Sequence, residues 1–137
     1  MQYTLDQSDT VTTPSGATLY RIRYVDGTRG GYLQSTANLD PGSNAQVSGN
    51  ARVYGNAQVS KPSHSLALGP LGSRNATLTV CRDSKLGVSY VTGCFFGSRD
   101  AFIAAIGATH GNTHHGNAYA AAIMLADHVV PAFGSED

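Results

Sequence analysis

SNAQVSGNARVYGNAQVS, residues 43–60, decides the fold. It is three hexads in one register, with Asn44, Asn50 and Asn56 at one position, Ala45, Ala51 and Ala57 at the next, and Val47, Val53 and Val59 two further on. Residues two apart on an extended chain share a face, so each Ala and its Val point the same way, while Gly-Asn supplies a corner at which a positive φ costs nothing. Small and branched side chains at that spacing fit the narrow interior of a β-coil. Three hexads complete one turn of such a coil, and one turn cannot cover its own ends. The repeat must stack on the preceding strands, on the C-terminal part or on copies of itself. Hexad coils commonly pack side by side around a threefold axis, which sets the expectation of a dimer, trimer or hexamer.

Upstream, ATLYRIRYVDGTRGGYLQS (17–35) places Leu19, Ile22, Tyr24 and Tyr32 around Asp26-Gly27, a strand–turn–strand pattern. Arg21 and Arg23 share one strand face there. Such a pair is ordinary solvated decoration or a wall that faces an anionic partner.

Downstream, KPSHSLALGPLGSRN (61–75) carries Pro62, Pro70, Gly69 and Gly72 and is expected to be a linker running into a loop. ATLTV (76–80) and GVSYVTGCF (87–95) flank RDSKL as a hairpin in which Cys81 opposes Val88 and Cys94 falls near Asn75, too far apart along the ladder for a disulfide. After Gly97 the period changes. Ser98 suits an N-cap, Asp100 the first turn, and Phe102, Ile103 and Ile106 form an inward stripe ending near Thr109. A second helix is expected over about 113–128, with Tyr119, Ala122, Ile123 and Ala126 inward and Pro131 closing it. The fold class is therefore α+β: N-terminal strands with a short hexapeptide-repeat β-coil, then a β-hairpin and two C-terminal helices. Three regions follow, 1–60 for the strands and repeat, 61–75 for the linker and loop, and 76–137 for the hairpin and helices, within one compact domain.

A chain of 137 residues holds a single modest core. Nine Lys+Arg offset nine Asp+Glu, so no net field favours a DNA or RNA duplex or an anionic membrane as partner. Seven of the nine cations are Arg, the residue that grips phosphate bidentately and stays charged in a pocket. No apolar run suffices for a membrane span, and MQYTLDQSDT lacks the basic and apolar segments of a signal peptide, so an unexported protein with reduced thiols is expected.

ATHGNTHHGNAY (108–119) concentrates His110, His114 and His115. His110 and His114 stand four apart, a metal-ligand spacing on a continuous helix, but Gly111-Asn112 interrupts it and no carboxylate or thiol is suitably spaced, so no metal site is expected. No GxSxG elbow singles out a nucleophile, and no cofactor motif is present. What remains is a polar loop at a helix N-terminus, where free backbone N–H groups favour phosphate.

The hexads GNARVYGNAQVS, then GPLGSRN, a strand pair ending in GCFFGS, the helix RDAFIAAI and THGN followed by HG and Tyr119 together resemble the phage Thoeris anti-defence proteins. The likeness covers roughly 17–128. It implies a viral sponge, not an enzyme, that sequesters a cyclic ADP-ribose-type signal in the cytoplasm of the infected bacterial host and leaves it uncleaved. Some members are hexamers, trimers of dimers, that also hold cyclic oligonucleotides of the CBASS pathway. Carried over by position, the ligand contacts implied are Arg74 as a fork on the diphosphate, Phe102 as a flat surface for adenine or ribose, and Asn112 as an amide partner of a base or ribose edge. Related chains also use arginines of the second helix or tail, whereas here no Arg or Lys follows Arg99. Arg21, Arg23 or Arg99 of a neighbouring subunit, or His114 and His115, are the substitutes this implies. Two other readings stand beside it: a phage structural or assembly protein trimerised by the hexads, and a metal-dependent nucleotide hydrolase using the histidines.

Overall fold

The computed structural model describes residues 2–111 and 113–135 and shows an α+β chain with two four-stranded sheets and two C-terminal helices. In the first sheet β1 (Tyr3–Thr12), β2 (Thr18–Tyr24) and β3 (Arg29–Leu33) run antiparallel, and β4 (Arg52–Val53) joins β3 in parallel. The turn between β2 and β3 is the expected one: Gly27 takes φ +90° and the Asp26 carboxylate accepts the Thr28 N–H and hydroxyl. Strand β1 escaped the sequence reading. Its polar residues show no alternation that a half-buried strand would print, and a register shift between Asp6 and Thr10 scrambles what alternation exists.

All six hexad Ala and Val side chains are inward, each at most 3% exposed, and the corners fall at Gly49 (φ +64°) and Gly55 (φ +67°). A regular β-sided coil is not what forms: the repeat contributes the two-residue β4 and the isolated bridges Leu39↔Val59 and Ala57↔Asp83. Its backbone docks instead on two sides. Towards β3, Gly31 and Tyr32 donate to Val47 and Ala51 carbonyls, and beyond β3 Asp40 donates to Val59. The Asn38 amide, buried in the short 3-10 turn Thr36–Asn38, donates to the carbonyls of Gly55 and Ala57. On the opposite side Gln58 donates to Arg82 and Ser84 to Asn56. Of the three sources of cover expected for the repeat, the preceding strands and the C-terminal part both contribute.

The second sheet is antiparallel throughout, in the order β5 (Ser65–Leu71), β6 (Ala76–Asp83), β7 (Gly87–Thr92), β8 (Phe95–Ser98). Residues 65–71 are therefore a strand and not a linker. Gly69 and Pro70 masked it, yet at the sheet edge, where β5 lies, a missing N–H is tolerated. The β6–β7 register pairs Cys81 with Ser89, one residue from the expected Val88. The cause is the three-residue loop 84–86, closed by Gly87 at φ +81° and held by the Asp83 carboxylate accepting the N–H groups of Lys85 and Leu86. Both cysteines are free, Cys81 buried and Cys94 exposed.

This sheet is a middle layer. Leu78, Val80 and Tyr90 face the helices in one core with Phe102, Tyr119, Ala122, Ile123 and Ala126, while Val91 packs with Leu19, Tyr32 and Tyr54 of the first sheet and repeat. Helix α1 (Arg99–Thr109) starts at Ser98, whose hydroxyl accepts the Ala101 N–H; α2 (His114–Val129) starts at Thr113, which accepts from Gly116. Ile103 corrects the expected stripe: it is 42% exposed, because Phe102 takes the inward direction and a neighbour in sequence lies about 100° round the helix. Among the described residues no helix is long and apolar enough to cross a membrane.

Burial raises the Tyr3 and Tyr90 phenols from 10.0 to about 12 and the Cys81 thiol from 9.0 to about 12, with the Asp83 charge adding to the last. These groups are held neutral by the fold, so their contribution to stability is complete below pH 9.0 and is lost as pH rises through about 12. Thermal melts across that range are expected to show a falling melting temperature, with tyrosinate absorbance appearing in the unfolding step.

Candidate ligand cleft

The loop Gly72–Asn75 is closed by the Asn75 N–H on the Gly72 carbonyl, and both end residues take positive φ, +76° and +52°. A Cβ at Gly72 would strike the Tyr119 hydroxyl, so only glycine lets the loop seat against α2. That seat presents Arg74 over a cleft of about 460 Å³. Facing it are Gly93, Cys94 and Phe95 of the β7–β8 turn, Ala105, Thr109 and His110 at the end of α1, and Tyr119. The His110 ring stacks on Tyr119 with centroids 5.7 Å apart and meets His115 edge-on at 5.7 Å, and His115 in turn meets His114 at 5.8 Å.

No carboxylate lines the cleft, and Arg74 is exposed with no ion-pair partner among the described residues. A guanidinium in that setting, beside an imidazole that can donate a hydrogen bond, complements an anion. Aromatic edges from Phe95 and Tyr119 add flat apolar surface, and the volume suits a small organic molecule.

Of the residues expected to form a site, Arg74 is in the cleft. Phe102 is not on its wall: it is 2% exposed, stacked on Tyr90 at 4.9 Å and enclosed by Phe95 and Tyr119, so it supports the two aromatics that are. Asn112 lies outside the described residues. Arg21 is buried and engaged on every side: Nε meets Asp9 at 3.2 Å, Nη1 donates to the Gly30 and Gly49 carbonyls, and Nη2 donates to the Tyr32 hydroxyl at 2.6 Å. It pins β2 to a repeat corner and offers nothing to a ligand. Arg23 pairs with Asp6, whose carboxyl is held down at about 2 by hydrogen bonds from Ser8 and then by Arg23. Arg99 grips Asp127 through both carboxylate oxygens at 2.8 Å, tying α1 to α2 and lowering the Asp127 pKa. His114 and His115 extend the imidazole row from His110 and do not line the cleft.

His110, weighed from sequence only as a metal candidate, is the further cleft residue; the available signal was its place just after the end of α1, at the C-cap. Among the described residues no three His, Cys, Asp or Glu side chains converge on one point. Cys94, an exposed free thiol, and His110 line the same cleft, with no hydrogen bond between them. No family model, curated protein or solved structure matches the chain.

Proposed function

We propose that this protein binds a small phosphate-bearing nucleotide of the cyclic ADP-ribose type and holds it without cleaving it, as a phage Thoeris anti-defence sponge does in an infected bacterium. The observation that carries the reading is Arg74: an exposed guanidinium with no carboxylate partner, set by a glycine-dependent loop on the wall of a cavity that also offers Phe95, His110 and Tyr119. The cleft residues named here all come from one chain, and a neighbouring subunit, as the resemblance implies, would add to them.

The test is to incubate the protein with a cyclic ADP-ribose isomer, separate the bound fraction and heat-denature it. Intact nucleotide in the supernatant supports the reading, cleavage products point to a hydrolase, and an undepleted solution sinks it. Cyclic oligonucleotides belong in the same assay. Arg74→Ala is expected to weaken binding by about tenfold to over a hundredfold, the effect of losing one charged hydrogen-bonding group and stranding a phosphate. Because the side chain supports no core contact, its melting temperature should match wild type; equal affinities in calorimetric titration would remove Arg74 from the site.

A further inference from the structure

The middle hexad departs from its neighbours. Where the first and third carry Gln46 and Gln58, it carries Arg52, at an outward position that packing of the repeat does not dictate. The half-buried Arg52 lines a second cavity, of about 270 Å³, with Asn50, Asn75, Thr77 and Thr92. This cavity and the Arg74 cleft share Ala76, Thr92 and Gly93, so they adjoin across one saddle. Among the described residues no carboxylate lines either one. Arg52 has no ion-pair partner among the described residues; its backbone N–H meets the Thr79 hydroxyl at 3.2 Å and its charge acts on the nearby Tyr54 phenol. On the saddle itself the Thr92 hydroxyl is buried and lacks a hydrogen-bond partner.

We infer that these two cavities form one two-part site, in which Arg74 and Arg52 hold separate anionic groups of a single nucleotide that carries at least two phosphates. The inference rests on the reading of the Arg74 cleft as a nucleotide site. Size sets the division of labour: about 460 Å³ falls within the range of small-molecule pockets and about 270 Å³ falls below it. The smaller cavity takes a phosphate group, not a whole ligand, and the carboxamides of Asn50 and Asn75 with the Thr77 hydroxyl are neutral groups suited to its oxygens. Arg52 then sets specificity, separating diphosphates from monophosphates. It also answers the want of cations after Arg99, from within the repeat and not from the C-terminal helix.

ADP and AMP, which differ by one phosphate, are the probes. Wild type is expected to bind ADP about tenfold more tightly than AMP, the scale of one charged hydrogen-bonding group, and Arg52→Gln is expected to bring that ratio near one. Arg52→Lys, which keeps a charge, retains part of the preference. An unaltered ratio in Arg52→Gln, or a wild type that treats the two nucleotides alike or binds neither, overturns the inference. Should Arg52→Gln lower the melting temperature, amide shifts of Asn50 and Thr77 in wild type replace it: movement with ADP and not AMP supports the two-part site, and identical movement refutes it. Loss of cyclic ADP-ribose binding alone, with the ADP preference present and sensitive to Arg52, brings down the sequestration reading and leaves the two-part site standing.

Discussion

Phe102→Ala is expected to lower stability by about 3–5 kcal/mol, enough to remove a large share of what a domain of this size possesses. The ring is 2% exposed and meets three others: Tyr90 in a stack at 4.9 Å, Phe95 tilted at 5.2 Å and Tyr119 edge-on at 5.6 Å. Deleting it leaves a cavity at the point where β7, β8, α1 and α2 converge, and none of these elements can close in without breaking a strand ladder or moving a helix. Urea unfolding monitored by circular dichroism should show the midpoint falling while the slope stays near wild type, and Phe102→Leu should recover part of the loss. A Phe102→Ala protein as stable as wild type would place the ring outside the core and restore the ligand-facing role that the resemblance implied. Because Phe95 and Tyr119 lean on this ring and also line the cleft, weaker nucleotide binding by Phe102→Ala would report loss of support, which is why Arg74 is the better probe of the site.

Gly31→Val should cost about 3 kcal/mol or more, at or above the upper end of ordinary overpacking. A Cβ at Gly31 would lie 2.5 Å from the Ala51 carbonyl oxygen and 2.9 Å from Val47 Cγ1. The first of these is backbone and cannot rotate away. To admit the side chain, the repeat must lift off β3, lengthening the hydrogen bonds from Gly31 to Val47 and from Tyr32 to Ala51, both 2.9 Å. Thermal denaturation decides the matter, with Gly107→Ala as the contrast. That glycine is helical with open space around its Cβ position, and the change should stabilise by about 0.5–1 kcal/mol. Equal behaviour of the two variants would mean that the repeat does not approach β3 so closely.

The parts of this molecule that were legible in sequence share one property: their burial repeats at a fixed spacing. The Ala and Val of the hexads, the inward residues of α2 and the Ser98 cap are set by local geometry and emerged as expected, whereas the Thr113 cap of α2 was not foreseen. Strands β1, β5 and β8 did not, because β1 is polar and bulged, β5 contains Gly69-Pro70 at a sheet edge, and β8 is four residues long and runs into a helix cap. For the site, GPLGSRN marked Arg74 by its loop chemistry. Phe102 and Arg21 carry residue types that suit a ligand, but their tertiary neighbours claim them, and no spacing rule reveals that Tyr32 and Asp9 converge on one guanidinium. Arg52 is visible in the sequence as the charged residue at a hexad position that is Gln in the other two repeats.

The repeat is clasped on two sides by backbone hydrogen bonds: Gly31 and Tyr32 of β3 donate to Val47 and Ala51, while Gln58 donates to Arg82 of β6 and Ser84 to Asn56. It is therefore the seam between the two sheets, and each half of the molecule is fastened to the other through main-chain atoms that no side-chain substitution removes. Sequence change on the outward positions of the hexads can alter the cavities they line while the join itself persists.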